Sequence, residues 1–192
     1  MRGIDMKLLK ILIAPLALLV LAQAMYAAED NNIQDHPGYV DFTGLSGVSS
    51  AEPNVEVTLK APVLSLLTNL ISNEDEEAAE FISKLLRVTV NVFASDSIDI
   101  DEVANSMATI ADELDADGWE RIVRIREDED HVDVYFRLSD NAEVIYGIAI
   151  MVAEPGETVL VNIVGDISVN DISALGRRFN IDELVDLDID AN

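Results

Sequence analysis

The chain contains no cysteine. This absence excludes disulfide bonds, a thiolate nucleophile and a cysteine-based metal site. It also excludes lipid attachment at a lipobox cysteine. A protein of this composition is therefore held together by its hydrophobic core alone.

Histidine is also scarce, since the chain has only His36 and His131. They lack the H-x-x-x-H spacing of a zinc site, and the sequence has neither a G-x-S-x-G turn nor a glycine-rich phosphate loop. The acidic clusters within 96–101 and 186–190 lack the glycine of a calcium-binding loop. The sequence therefore predicts no catalytic residue, no metal site and no cofactor.

Basic residues are few: 12 Lys and Arg against 37 Asp and Glu give a formal net charge of −25. Such a charge repels phosphates and anionic lipid head groups, so nucleic acid and anionic membranes are disfavoured as partners. The acidic excess indicates solubility or, alternatively, an attraction for cations and basic partners.

The chain also lacks an apolar run long enough to cross a membrane. Ile11–Ala22 has about 12 residues, whereas a membrane helix needs roughly 20. Three basic residues precede this run and Ala22-Gln23-Ala24 ends it, which is the pattern of a secretory signal peptide. We predict cleavage after Ala24 and no stable membrane anchor, with a retained N-terminal anchor as the alternative.

Cleavage would remove three basic residues and one acidic residue, so the exported part would carry 9 basic and 36 acidic residues and a net charge of −27. A cysteine-free chain behind such a leader indicates a periplasmic or secreted bacterial protein. We divide the sequence into a signal peptide at 1–24, a partly ordered lead-in at 25–52, a single domain at 53–181 and an acidic tail at 182–192.

Hydrophobic periodicity predicts the element order β-α-β-α-β-β-β-β-α. The first helical stretch follows Pro62 and has a break near Ser72-Asn73, where Asn73 resembles an N-cap, so it forms either one helix or two. Asp99 with Glu102 has the spacing of a capping box, and Gly118 ends the helix that follows.

The second half of the domain is rich in strands. Four strands up to Val164 form a predicted antiparallel meander, in which Val144–Val152 is apolar on both faces, as in a central strand. A last helix is predicted at Ser168–Ile181. We therefore expect an α+β fold with helices packed on one face of an antiparallel sheet.

One group of residues indicates a contact surface. Four of the nine basic residues behind the leader lie in one predicted hairpin, at Arg121, Arg124, Arg126 and Arg137. By strand alternation the last three share an outer sheet face with Tyr135, and arginine and tyrosine are enriched at protein interfaces. We identify Arg124, Arg126, Tyr135 and Arg137 as the candidate contact with an envelope protein or with a second copy. The alternative is a solvated face of arginine–carboxylate pairs.

Residues Trp119 to Leu175 resemble the DUF4252 family of small exported bacterial proteins. The resemblance lies in the charged hairpin, Val144–Val152 with Glu154-Pro155-Gly156-Glu157, Val159-Leu160-Val161, Gly165-Asp166-Ile167 and the predicted helix from Asp171 to Leu175. It implies an envelope protein with no catalytic residues. The resemblance also implies a lipoprotein, since the family's members often look like lipoproteins, and the missing lipobox cysteine departs from that pattern.

These observations lead to three hypotheses. The first is a non-enzymatic binding or interaction domain of the bacterial envelope. The alternative is an envelope hydrolase that uses two carboxylates distant in sequence, which spacing cannot reveal. A third hypothesis is binding of cations or cationic peptides by the bulk charge.

Overall fold

A computed structural model describes residues 33–48, 52–94, 99–127, 129–168 and 171. The chain forms two compact units, Met1–Asp35 and His36–Asn192. The second unit contains the sheet and the helices named next. They are β1 Val55–Lys60, α1 Ala61–Ile71, α2 Glu76–Ser83, β2 Leu85–Ala94, α3 Ile100–Ala116, β3 Glu120–Glu127, β4 Asp130–Leu138, β5 Val144–Glu154 and β6 Glu157–Ser168.

The six strands form one antiparallel sheet in the order β1-β2-β6-β5-β4-β3. The meander from β3 to β6 is as predicted, and β5 lies inside the sheet as its two apolar faces indicate. The strand β2 then pairs with β6, which joins the two halves of the chain. The α+β class is confirmed.

The helices cover both faces of the sheet, and this corrects the expectation that they pack on one face. On one face α3 packs against Tyr135, Met151 and Leu160, which belong to three neighbouring strands. On the other face α1 and α2 pack against a second cluster that contains Phe136 and Ile148. Alternation along each strand gives two apolar faces, and each face buries part of its side chains under helices of its own.

The ends of α3 are as the sequence predicts. The Asp99 side chain accepts a hydrogen bond from the backbone N–H of Glu102 at 3.1 Å, which caps the first turn. At the other end Gly118 has a positive φ of 79°, and the N–H of Trp119 reaches the carbonyl of Leu114 at 2.9 Å. This Schellman-type end needs glycine, since other residues are strained at that φ.

The first helical stretch forms two helices. The break spans residues 72–75, and the capping side chain is that of Asp75, which accepts from the N–H of Ala78 at 3.0 Å. The prediction of Asn73 as the N-cap was therefore two residues early. Both residues carry a suitable side-chain oxygen, so the sequence alone does not choose between them.

Part of the predicted lead-in packs into the domain. Leu45 and Val48 are almost completely buried among the residues of α3, and Val40 and Phe42 pack beside them. The side chain of Asn162 accepts a hydrogen bond from the N–H of Val40 and donates one to the carbonyl of Gly38. The segment 38–48 therefore forms part of the hydrophobic core.

Beyond the part that α1 and α2 cover, their face of the sheet bears two complete rows of aliphatic residues, which we call the valine face. The first row is Val55, Val92, Val159, Val152, Val132 and Ile125. The second row is Val57, Val90, Val161, Ile150, Val134 and Val123. Each of these twelve side chains remains partly or largely exposed in the structure.

Several predicted features lie outside the described residues. These are the signal peptide, the last helix after Ser168 (apart from Asp171) and the acidic tail. Within the part of the chain that is described, no helix has the length and hydropathy to span a membrane.

The spacing of Ser168 and Asp171 predicts a cap, and the two residues do bond. Asp171 Oδ2 accepts from the backbone N–H of Ser168 at 2.8 Å, and Asp171 Oδ1 lies 2.8 Å from Nζ of Lys84. Burial acts to raise the pKa of Asp171, but the hydrogen bonds from Lys84 and Ser168 outweigh it and the pKa is lowered.

Asp171→Asn is therefore expected to lower the free energy of unfolding by about 1–3 kcal/mol at neutral pH. Because the folded pKa is depressed, this stabilisation is complete above the ordinary value of 3.8 and disappears as the pH falls below it. Urea unfolding at pH 7 and at about pH 3 measures the difference, with Asp140→Asn in an exposed turn as the control. A difference that persists unchanged in acid would contradict the assignment.

Candidate functional site

The predicted contact residues lie on and beside β3, which is an edge strand. Within the described residues its only strand neighbour is β4. Arg124 lies opposite Asp133 and Arg126 lies opposite His131, so the two arginines point to the same face. An edge strand leaves one row of backbone N–H and C=O groups without a strand partner, which makes it a surface for pairing.

Arg124 is the most available of the predicted contact residues. It is exposed, and within the described part of the chain it makes no hydrogen bond or ion pair. Arg126 is also exposed, but its guanidinium donates to Oδ2 of Asp133 and to the carbonyl of Val132. The pair thus contains one free cation and one cation held in place by a neighbour.

Arg137 has a structural role at the end of α3. Its Nη1 donates to the carbonyl of Gly118 at 3.2 Å and to the carbonyl of Leu138 at 3.0 Å. Because carbonyls at the end of a helix lack partners within the helix, a guanidinium there stabilises the end. Arg137 is therefore held by backbone carbonyls, in contrast to the exposed Arg124.

Tyr135 is completely buried under α3, so the expectation that it lies on an outer face is corrected. The strand alternation was right, because Tyr135 does share a face with Arg124. The prediction was wrong because it took this face as exposed, whereas α3 covers it at Tyr135. Burial raises the pKa of the Tyr135 phenol, and the nearby cations Arg121 and Arg124 oppose this increase.

Asp133 lies beside Tyr135 and is completely buried. One of its oxygens bonds to Arg126, whereas the other oxygen and the Tyr135 hydroxyl have no hydrogen-bond partner among the described residues. A buried carboxylate is costly unless it is paired, so the Arg126 bond holds this end of the strand pair together.

Arg121 was not among the contact residues predicted from the sequence. A bulge at Ile122 shifts the register between Arg121 and Val123, which places Arg121 opposite Tyr135 on the arginine face. Its guanidinium lies 5.4 Å from the centre of the Tyr135 ring and bonds to Asp115 at 3.1 Å. Simple alternation puts Arg121 on the other face, and the sequence gives no clear sign of the bulge.

The opposite side of β3 is apolar. Val123 and Ile125 are 37% and 41% exposed, and Ile122 at the bulge is 42% exposed. The strand therefore presents arginine on one side, aliphatic side chains on the other and an open backbone edge between them.

A pocket of about 360 Å³ lies between β2 and residues 38–48, which we call the docked segment. Its floor includes Thr89, Asn91 and Asn162, and both Asp41 and Glu56 line it. Two carboxylates around one pocket are what the alternative hydrolase hypothesis requires.

Neither histidine lines the pocket, and His131 lies opposite Arg126 in the strand pair. His36 Nδ1 accepts from the N–H of Gly38 at 3.1 Å, and burial lowers its pKa. His131 lies at the start of β4. Within the described ranges no group of three or more His, Asp and Glu side chains is arranged to hold a metal ion.

Comparison with models of protein families shows to which family the chain belongs. The model of a domain of unknown function, DUF4252, matches residues 50–175, about two thirds of the chain. The chain belongs to the DUF4252 family. The DUF4252 match begins before β1 and ends after Asp171, so it contains the six strands and three helices of the described residues. No curated protein matches the chain.

Proposed function

We propose that this DUF4252 protein is an exported, non-enzymatic binding protein of the bacterial envelope, and that β3 is its contact surface. The leader sequence supports the location. The observation that carries the binding role is an open edge strand with the unpaired Arg124 on one side and exposed Val123 and Ile125 on the other.

The chemistry of the strand indicates its partner. A sheet edge binds an extended segment by adding it as a further strand, and the alternating side chains decide which segment fits. Acidic residues of such a segment would face Arg124 and Arg126, while its apolar residues would face Val123 and Ile125. The partner is therefore a protein with an extended segment that alternates acidic and apolar residues.

The net charge of −25 opposes an acidic partner at long range. At physiological ionic strength, however, charges are screened over about 8 Å, so the contacts within the strand pair dominate. Binding is expected to require moderate salt and to be weaker at very low ionic strength. This dependence is the reverse of ordinary attraction between opposite net charges.

Arg124→Ala is expected to weaken binding of a peptide with alternating Asp and Val residues by about five- to tenfold, since one cross-strand ion pair contributes up to about 1 kcal/mol and partial burial adds to it. Fluorescence anisotropy with the labelled peptide measures the effect. Arg124→Lys keeps the charge and should recover most of the affinity, and Lys60→Ala on the opposite edge of the sheet is the control.

Two outcomes would contradict the proposal. One is equal affinity of wild type and Arg124→Ala, and the other is an equal loss in Lys60→Ala, which would show that only the overall charge matters. The hydrolase alternative is separated by a screen of chromogenic esters and glycosides. Hydrolysis by the wild type that is lost in Asp41→Asn/Glu56→Gln would favour the pocket over β3.

A further inference from the structure

The sheet has a second open edge, at β1. Among the described strands the only neighbour of β1 is β2, so its outer backbone N–H and C=O groups have no strand partner. On one face β1 presents Val55 and Val57, which are 49% and 37% exposed, and on the other face it presents the exposed Glu56. The Glu56 side chain makes no hydrogen bond or ion pair in the described part of the chain. The two edges of the sheet thus carry opposite charges beside similar apolar residues.

The strand β1 has the residue pattern that the proposed function requires of a partner. The acidic Glu56 lies between the apolar Val55 and Val57, so the acid faces one side of the strand and the valines face the other. The backbone of β1 is already extended, because β2 holds it in the sheet. A strand held in this way loses less conformational freedom on binding than a loose peptide does.

The rows of side chains that cross the sheet end in matching residues at its two edges. Each of three rows begins on β1 and ends on β3. The pairs at their ends are Val55 with Ile125, Glu56 with Arg124, and Val57 with Val123. The first and third pairs belong to the valine face, and the second pair lies on the opposite face. A further β1 placed beside β3 therefore continues each row with a residue of like polarity or of opposite charge.

The directions of the strands fit the same arrangement. All neighbouring strands in the described sheet are antiparallel, so the six strands alternate in direction and β1 runs opposite to β3. A second copy in the same orientation therefore presents its β1 antiparallel to β3 of the first copy. This is the pairing that the rest of the sheet uses, and it brings the valine faces of both copies to the same side.

We propose that β1 of one copy of this chain pairs with β3 of a second copy, an inference that rests on the proposed role of β3 and names its partner. Glu56 of one copy then lies beside Arg124 of the other, with about 5 Å between their Cβ atoms. Each pair of copies retains one free β1 and one free β3. The contact is therefore head-to-tail, and further copies can add to it.

Charge separates this contact from the two symmetric ones. Pairing of β3 with a second β3 would place arginines beside arginines, and pairing of β1 with a second β1 would place Glu56 beside Glu56. Like charges directly opposite each other in a sheet are destabilising, whereas opposite charges are stabilising. Of the three contacts, the one between β1 and β3 is the one that pairs opposite charges.

Sedimentation velocity of the full chain at increasing protein concentration tests the proposal. Physiological ionic strength is used, because it screens the repulsion between two acidic copies. The sedimentation coefficient of the wild type is expected to rise with concentration. Glu56→Arg and Arg124→Glu should each lose this rise, and an equal mixture of the two variants should recover it, since each then offers the charge that the other lacks.

Asp140→Arg is the matched control, because it makes the same change of charge in an exposed turn. It should keep the concentration dependence of the wild type. Glu56→Arg makes the net charge of −25 less negative by two, so an effect of overall charge alone would strengthen association rather than remove it. The loss in Glu56→Arg therefore reports the local contact.

A wild type that stays monomeric at every concentration would overturn the proposal, and so would a mixture of the two variants that stays monomeric. Peptide binding distinguishes this failure from a failure of the proposed function. Glu56→Arg leaves β3 unchanged, so its affinity for the peptide of alternating Asp and Val should equal that of the wild type. A monomeric wild type that binds this peptide through Arg124 would overturn the choice of β1 alone. A monomeric wild type that does not bind it would overturn both proposals.

The absence of native cysteine permits a second measurement that changes no charge. Val57→Cys and Val123→Cys place single thiols on the two edges, which lie five strand spacings, about 24 Å, apart within one copy. Because a disulfide needs Cα atoms within about 7 Å, these thiols can join only between copies. An oxidised mixture of the two variants should link residue 57 to residue 123, as identified by peptide mapping. Links of either variant to itself in preference would contradict the proposal.

Discussion

Gly147→Ala is expected to destabilise the domain by roughly 3 kcal/mol, the upper part of the usual range for overpacking a core. Gly147 lies in β5, where the docked segment crosses the sheet. A methyl group there would lie 2.5 Å from Cα of Gly38 and 2.7 Å from Cη2 of Trp119. Neither neighbour moves easily, since one is backbone and the other is a buried ring.

The comparison for this substitution is Gly44→Ala. Gly44 belongs to the same docked segment, but an added methyl group meets nothing within 4 Å. The free energy of unfolding of the Gly44→Ala protein should therefore stay within about 0.5 kcal/mol of that of the wild type. Denaturant unfolding of the two variants checks the prediction. A Gly147→Ala protein as stable as Gly44→Ala would show that the segment does not pack against β5 as described.

Asn162→Leu is expected to lower the free energy of unfolding by about 2–4 kcal/mol, although it replaces a polar residue in the core by an apolar one of similar size. The Asn162 amide bonds to three backbone groups, the N–H of Val40 and the carbonyls of Gly38 and Ile148. Leucine would leave buried backbone groups without partners, and each costs about 1–3 kcal/mol. The buried amide therefore holds the segment on the sheet.

Asn91→Leu makes the same chemical change on the same face of the sheet. Asn91 lies opposite Leu160 in the neighbouring strand and is only partly buried, with no hydrogen bond among the described residues. The Asn91→Leu substitution should leave the free energy of unfolding unchanged or raise it slightly. In the Asn162 variant, hydrogen exchange should also be faster in residues 38–48 than in β5. Uniform loss of protection would instead indicate that the segment and the sheet unfold together.

Local chemistry made part of the fold predictable. The Asp99 cap and the Gly118 end of α3 follow from side-chain and backbone preferences that act over a few residues. The central position of β5 follows from a strand that is apolar on both faces. The insertion of β6 between β2 and β5 depends on contacts between distant segments, which no local pattern encodes.

The surroundings of the candidate contact residues were predictable only in part. Alternation correctly placed Arg124, Arg126 and Tyr135 on one face of the sheet. It does not say which face a helix covers, and α3 and the docked segment cover this one except near its edge. The bulge at Ile122 adds an error of register, so Arg121 was left out although it stacks on Tyr135.

The strand order also has a consequence for the timing of folding. Among the described strands β6 comes last in the sequence but third in space, and it joins the β1-β2 pair to the meander. Synthesis delivers β1 and β2 first and their partner last, so the sheet closes only after residue 168 has emerged. Contacts between such distant segments form slowly. The arrangement therefore leaves the β1-β2 pair without its neighbouring strand until β6 has been made.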